Sequence, residues 1–174
     1  GHSPWILIAG CLLLFSVGLA LPGALEAADF PRADSVIIEK DARKLHLIRN
    51  GEAMKTFDIA LGIQPIGHKV QEGDFRTPEG RYLLDARNPN SDFFLSIHIS
   101  YPDATDRREA ASLGVDPGSA IMIHGSCVSI GCLAMGDGPI EELFLLVHDT
   151  GASKVRVLIA PCDLRRKKPQ ECRH

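Results

Sequence analysis

Asn50-Gly51 stands between two apolar, β-branched runs, and that dipeptide constrains the fold more than any other feature of this chain. Asparagine and glycine tolerate the positive φ values of a type I′ turn, whose twist suits a two-residue hairpin. Residues 45–49 and 53–61 flank the turn as strands, and 35–40 reads as a third, so the domain should open as a β-meander. Segments 81–85, 93–101, 120–123 and 154–160 extend the pattern. Two short helices are expected among them. One covers 105–113 and stops at Gly114. The other follows Asp137-Gly138, with Pro139 in its first turn, Glu141 and Glu142 near its positive end, and Ile140, Leu143, Phe144 and Val147 on one apolar stripe. The expected class is therefore mostly β with short helices, α+β.

The first stretch departs from this pattern. Residues 5–21 are almost unbroken in their apolar character and run into Pro22-Gly23 and the small residues Ala24, Ala27 and Ala28. Residues 1–28 read as a secretory signal or an N-terminal membrane anchor, and Cys11 reads as part of that hydrophobic stretch. Export to an oxidising space makes disulfides permissible, and Cys162 with Cys172 is the natural pair. It would clip the basic tail, 161–174, to the last strand. The run Arg165-Arg166-Lys167-Lys168 reads as a solvated end, and a net charge of −3 offers no footprint for nucleic acid. With 45% hydrophobic residues in 174, one domain at 35–160 can bury its own core.

The chemistry is concentrated between His124 and Cys132. A free thiol has a pKa of about 8.5 and is only a few per cent thiolate at neutral pH, so it needs a neighbouring base to attack a carbonyl. His124 closes the buried strand 120–123, where a polar ring reaches a cleft; Gly125 lets the chain turn. Gly131 allows close approach of a substrate to the backbone, and the amides around Cys132 are candidates to face an oxyanion. Ser129 either binds substrate or braces the turn. On strand 93–101, alternation puts Phe94, Ser96, His98 and Ser100 on one face, so His98 looks either into the cleft or onto a half-exposed sheet face. Glu72, Asp74, Arg76 and Glu79 form a charged turn that either reads the amine and carboxylates of a peptide, with Arg76 as the carboxylate fork, or pairs internally.

The pairs His124-Gly125 and Ser129-Ile130-Gly131-Cys132, preceded by Leu61-Gly62, Gly67-His68-Lys69, Glu72-Gly73-Asp74-Phe75-Arg76-Thr77-Pro78-Glu79-Gly80 and Ser96-Ile97-His98-Ile99-Ser100-Tyr101-Pro102, resemble the YkuD-type L,D-transpeptidases, in particular their YafK-like branch. The resemblance implies a YkuD-like β-sandwich or mixed sheet and a thioester on Cys132. His124 would be base then acid, with the Gly125 carbonyl steadying its ring. It implies attack at the L-centre of diaminopimelate in a peptidoglycan stem tetrapeptide, with D-alanine leaving. An amine acceptor would give transpeptidation. Water would make the enzyme an amidase or peptidase cutting stem-peptide links or those to a wall-linked lipoprotein. A non-catalytic wall-binding domain is the alternative from another class. Two departures are visible: Ile130 stands where many relatives place a second histidine, leaving His124 as the proximal base, and Ala134 stands where many carry Arg or Asn.

No cofactor is implied. His124, Cys127, Cys132 and His148 are zinc-ligand types, but neither a Cys-x-x-Cys knuckle nor a His-Glu-x-x-His helix occurs, so no metal is expected and His148 reads as a surface cap. Cys127 reads as a structural thiol, a mixed-disulfide partner or a redox brake on Cys132.

Overall fold

The protein is described from a computed structural model covering residues 32–127, 129–147 and 155–172. The readings of residues 1–28 and of His148 lie outside these residues. Eight strands form one mixed sheet: β1 (Ser35–Glu39), β2 (Lys44–Arg49), β3 (Glu52–Asp58), β4 (Gly80–Ser91), β5 (Phe94–Ile99), β6 (Met122–His124), β7 (Leu133–Ala134) and β8 (Val155–Ala160). Their order across the sheet is β3-β2-β1-β8-β4-β5-β6-β7. The expected meander β1–β2–β3 is present, turning at Asn50 and Gly51 with φ of 53° and 82°. Strand β8 pairs parallel to β1 and antiparallel to β4, which joins the meander to the second half. Beyond β3, Ala60 and Ala134 exchange backbone hydrogen bonds of 2.7 and 3.0 Å, so the sheet curls until its two ends touch.

Alternation decides which face is buried. Val36, Ile38, Leu45 and Leu47 on the meander, and Ile97, Ile99, Ile123 and Leu133 on the second half, are fully buried and share one core. Burial of each such side chain contributes about 1.5–3 kcal/mol. Helix α2 (Asp137–Leu146) packs Ile140 and Leu143 against β5 and β6 with no side-chain cap at Gly136. Helix α1 (Ala104–Leu113) has a capping box between Asp103 and Asp106 and ends on Gly114 in the left-handed region, φ 70°. Its Asp106 is not inert surface charge, because the buried carboxylate accepts the Tyr82 hydroxyl and meets His68 Nε2 at 3.2 Å. Among the described residues no helix is long and apolar enough to cross a membrane.

Several boundaries differ from the sequence expectation. Strand β3 ends at Asp58 rather than at residue 61, because the chain must leave β2 to reach Ala134. Strand β4 runs on to Ser91 with bulges opposite β5. The two-residue β7 was not foreseen; it exists because it lies between β6 and the Ala60 bridge. Cys162 and Cys172 are joined, holding the tail beside the end of β8, and a short 3-10 turn, Pro169–Glu171, lies within the closed loop.

Candidate active site

Strand β6 ends on His124, whose residue is only 2% exposed. Its Nδ1 donates to the Gly125 carbonyl at 2.5 Å. A carbonyl oxygen only accepts, so Nδ1 carries the hydrogen, and in the neutral ring Nε2 presents the lone pair. Phe93 lies against the ring at 4.7 Å between centroids. Gly125 is required for space: a Cβ there would stand 2.6 Å from both Asp137 Oδ1 and the Phe93 carbonyl. Asp137 in turn accepts the Ser126 amide at 2.8 Å, which ties the turn after His124 to the start of α2.

Cys132 immediately precedes β7. The parallel register Ile123↔Leu133 and His124↔Ala134, carried one residue back, sets Cys132 beside Met122. Alternation then places Cys132 and His124 on the same face, opposite the buried Ile123 and Leu133. One strand across and two residues along corresponds to roughly 8 Å between their Cα positions. The thiol is half-buried and free, and among the described residues its Sγ donates to the Ala120 carbonyl at 3.5 Å. Burial pushes its pKa up, while the Met122 amide and the Lys69 ammonium pull the other way.

The turn before the sulfur is held from two sides. Gly131 has φ 136°, a conformation side chains disfavour, and the Thr77 hydroxyl donates to its carbonyl at 2.9 Å from a fully buried position. The Ser129 hydroxyl donates to the Cys132 carbonyl and accepts the Gly131 amide at 3.3 Å, so it braces the turn. Gly62 passes so close that a Cβ there would collide with the Phe75 carbonyl and the Gly131 backbone.

A cleft of about 310 Å³ opens beside the sulfur, lined by Lys69, Glu72, Phe75, Ala120, Ile130 and Cys132 among others. Two larger hollows, about 550 and 630 Å³, lie over β1, β4 and β8, but the only cysteine on their walls is the disulfide-bonded Cys162, so neither offers a nucleophilic thiol. The charged turn is largely paired within the protein. Lys69 Nζ meets Asp74 at 2.9 Å, and Glu79 meets the buried Lys40 at 2.8 Å. Burial opposes charge on Asp74, but the Val70, Arg76 and Gln71 amides together with Lys69 hold its carboxyl below the usual range. Arg76 is half-buried, and its guanidinium is not among the groups lining the cleft.

His98 is half-buried and opposes Met122 in the β5–β6 register, two strands from Cys132 on the same face. Its Nδ1 is 2.5 Å from Asp85 Oδ1, and it does not line the thiol cleft. Cys127 is exposed and free. Sequence reasoning passed over Phe93 and Ala120 because an exposed aromatic and a single alanine carry no pattern. Lys40 was missed because a lysine closing a strand ordinarily points to water. Among the described residues no three His, Cys, Asp or Glu side chains are grouped to hold a metal ion.

The family model described as the L,D-transpeptidase catalytic domain, YkuD, matches residues 33–158. The curated "Putative L,D-transpeptidase YafK" of two Escherichia coli strains is 36% identical over 133 residues, covering 71% of this chain and 52% of the relative. This chain thus spans about half the length of the curated relatives it matches. Among solved structures, the helical cell shape determining protein Pgp2 from Campylobacter jejuni superposes with a TM-score of 0.57 at 24% identity, covering 74% of this chain and 47% of that one. Bd1075 of Bdellovibrio bacteriovorus gives 0.55 at 21%, covering 75% and 49%. At these identities the two structures speak for the fold.

Proposed function

The chain belongs to the YkuD family of L,D-transpeptidase catalytic domains, and from that premise we propose that it is a cysteine acyltransferase acting on peptidoglycan stem peptides. One observation carries the reading: the Gly125 carbonyl engages Nδ1 of His124, leaving Nε2 as the ring's base on the sheet face that Cys132 shares. In the resting arrangement the thiol points to Ala120, so the first step is its rotation toward the ring. Cys132 then gives its proton to Nε2, and Sγ attacks the carbonyl at the L-centre of diaminopimelate in a tetrapeptide. A C–S bond forms, the C–N bond to D-alanine breaks, and His124 returns the proton to the leaving amine. Gly131 and Ser129 shape the turn that presents the sulfur to the carbonyl carbon and the adjacent amides to its oxyanion. His98 and Arg76 lie further out and are assigned to more distant parts of the peptide.

In the second half-reaction an amine takes the acyl group and forms a cross-link, or water enters through the open cleft and hydrolyses it. A wall-linked lipoprotein presents such an amine, so attachment or release of one is the same chemistry. The place of action is the cell envelope. Altered stem peptides are expected to alter the wall. Purified protein incubated with tetrapeptide muropeptides is expected to release D-alanine, and Cys132→Ala is expected to abolish release while circular dichroism and wall affinity stay as they were. Release that persists in Cys132→Ala refutes the assignment; wall binding without turnover in the unaltered protein would favour a binding domain.

A further inference from the structure

The four charged side chains of the turn above the thiol do not share one fate. Asp74 takes three backbone amides and the Lys69 ammonium, and Glu79 takes Lys40. Arg76 stands outside the cleft lining. Glu72 lines the cleft with Cys132, and among the described residues its carboxylate accepts no hydrogen bond and joins no ion pair. Its backbone is nevertheless fixed. The Glu72 amide donates to the Asp116 carbonyl at 2.8 Å, and its Cβ and Cα lie 3.2 and 3.3 Å from the position of a Cβ on Gly118. The other charged lining group, Lys69, already faces Asp74 at 2.9 Å. Glu72, an exposed residue, therefore brings one unspent negative charge to the wall of a cleft of about 310 Å³ that Cys132 also lines.

An unpaired carboxylate on a fixed backbone repels carboxylates and binds an ammonium by charge-assisted hydrogen bonds. We propose that Glu72 selects the acyl acceptor: it holds the ammonium of an amine-bearing acceptor beside the Cys132 thioester and biases the enzyme toward transfer over hydrolysis. The inference rests on the thioester proposed above. In the step itself the acceptor ammonium has three hydrogens. One leaves to solvent before attack, one remains on the new amide, and one reaches the departing Cys132 sulfur through His124. The C–N bond forms as the C–S bond breaks. Glu72 acts through position and charge and takes no part in bond making.

The test follows both half-reactions in the unaltered protein, Glu72→Gln and Glu72→Asp, using a tetrapeptide donor and a tripeptide acceptor with a free side-chain amine. Thioester formation is read by intact mass, and amide and hydrolysis products by chromatography. Glu72→Gln is expected to raise the acceptor KM by about tenfold or more and to shift product toward hydrolysis, with Glu72→Asp recovering part of the loss. The effect on thioester formation should be much the smaller. An unchanged acceptor KM and product ratio overturns the inference, as does a slowing confined to thioester formation, which assigns Glu72 to the donor. If the unaltered protein forms a thioester but gives only hydrolysis, acceptor selection is wrong and the thioester stands. If no thioester forms at all, the catalytic reading itself has failed.

Discussion

The meander β1–β3 and the β5–β7 region are built to different rules. In the meander, buried and half-buried residues alternate along β1 and β2, and the non-glycine residues with positive φ are the turn residues Arg43 and Asn50. Around β5–β7 the strands shorten to three and two residues. There Phe75, Phe94, Ala120 and Ser126 all adopt positive φ between 58° and 73°. Such conformations cost on the order of 1–3 kcal/mol each and persist only where surrounding structure holds them. Phe75 and Ala120 line the thiol cleft, Phe94 follows the ring that covers His124, and Ser126 turns the chain after it. Regular alternation supplies the foundation, and the irregular backbone surrounds the candidate site.

That division separates stability from activity. Leu47 is fully buried in the meander, so Leu47→Ala should cost about 2–5 kcal/mol in denaturant unfolding, with turnover per folded molecule nearly unchanged. A large loss of turnover there would erase the contrast. Gly125→Ala should reverse the pattern. Its Cβ must displace Asp137 or the Phe93 backbone, which disturbs the carbonyl that orients His124, and turnover should fall by about a hundredfold. Thr77→Val leaves the Gly131 carbonyl without its buried donor. Stability should fall by about 1–3 kcal/mol, with turnover falling further than the stability loss explains.

The smallest effect is on pH dependence. Burial raises the Cys132 pKa above that of a free thiol, so in the alkaline range the folded protein keeps a proton that the unfolded chain has lost. Stability should therefore decline as pH rises from about 9 through the folded value, and the decline should be shallower in Cys132→Ser. Parallel curves for the two proteins would mean the sulfur is not held in a desolvated place.

The difference also explains what the sequence disclosed. Asn50-Gly51 and the apolar alternation of 35–49 are local signals, and they predicted the meander because neighbouring residues decide it. His124 and Cys132 stood out as candidate site residues because a base and a thiol stand eight residues apart around glycines. Three contacts had no local signal: the Ala60–Ala134 bridge, the Thr77 hydroxyl on Gly131 and the Phe93 cover over His124. Each joins residues far apart in the chain, so no stretch of neighbouring residues announces it. For the charged residues of 72–79 the sequence left peptide recognition and internal pairing both open; burial and pairing distinguish Glu72 from Asp74 and Glu79.

The central claim is that His124 makes the Cys132 sulfur nucleophilic. Intact mass with peptide mapping after exposure to a carbapenem, an acylating β-lactam, tests it most directly. The account predicts a single adduct on Cys132, absent in Cys132→Ser and formed about a hundredfold or more slowly in His124→Gln. An adduct on Cys127, or acylation of Cys132 at the same rate without the imidazole, would contradict it.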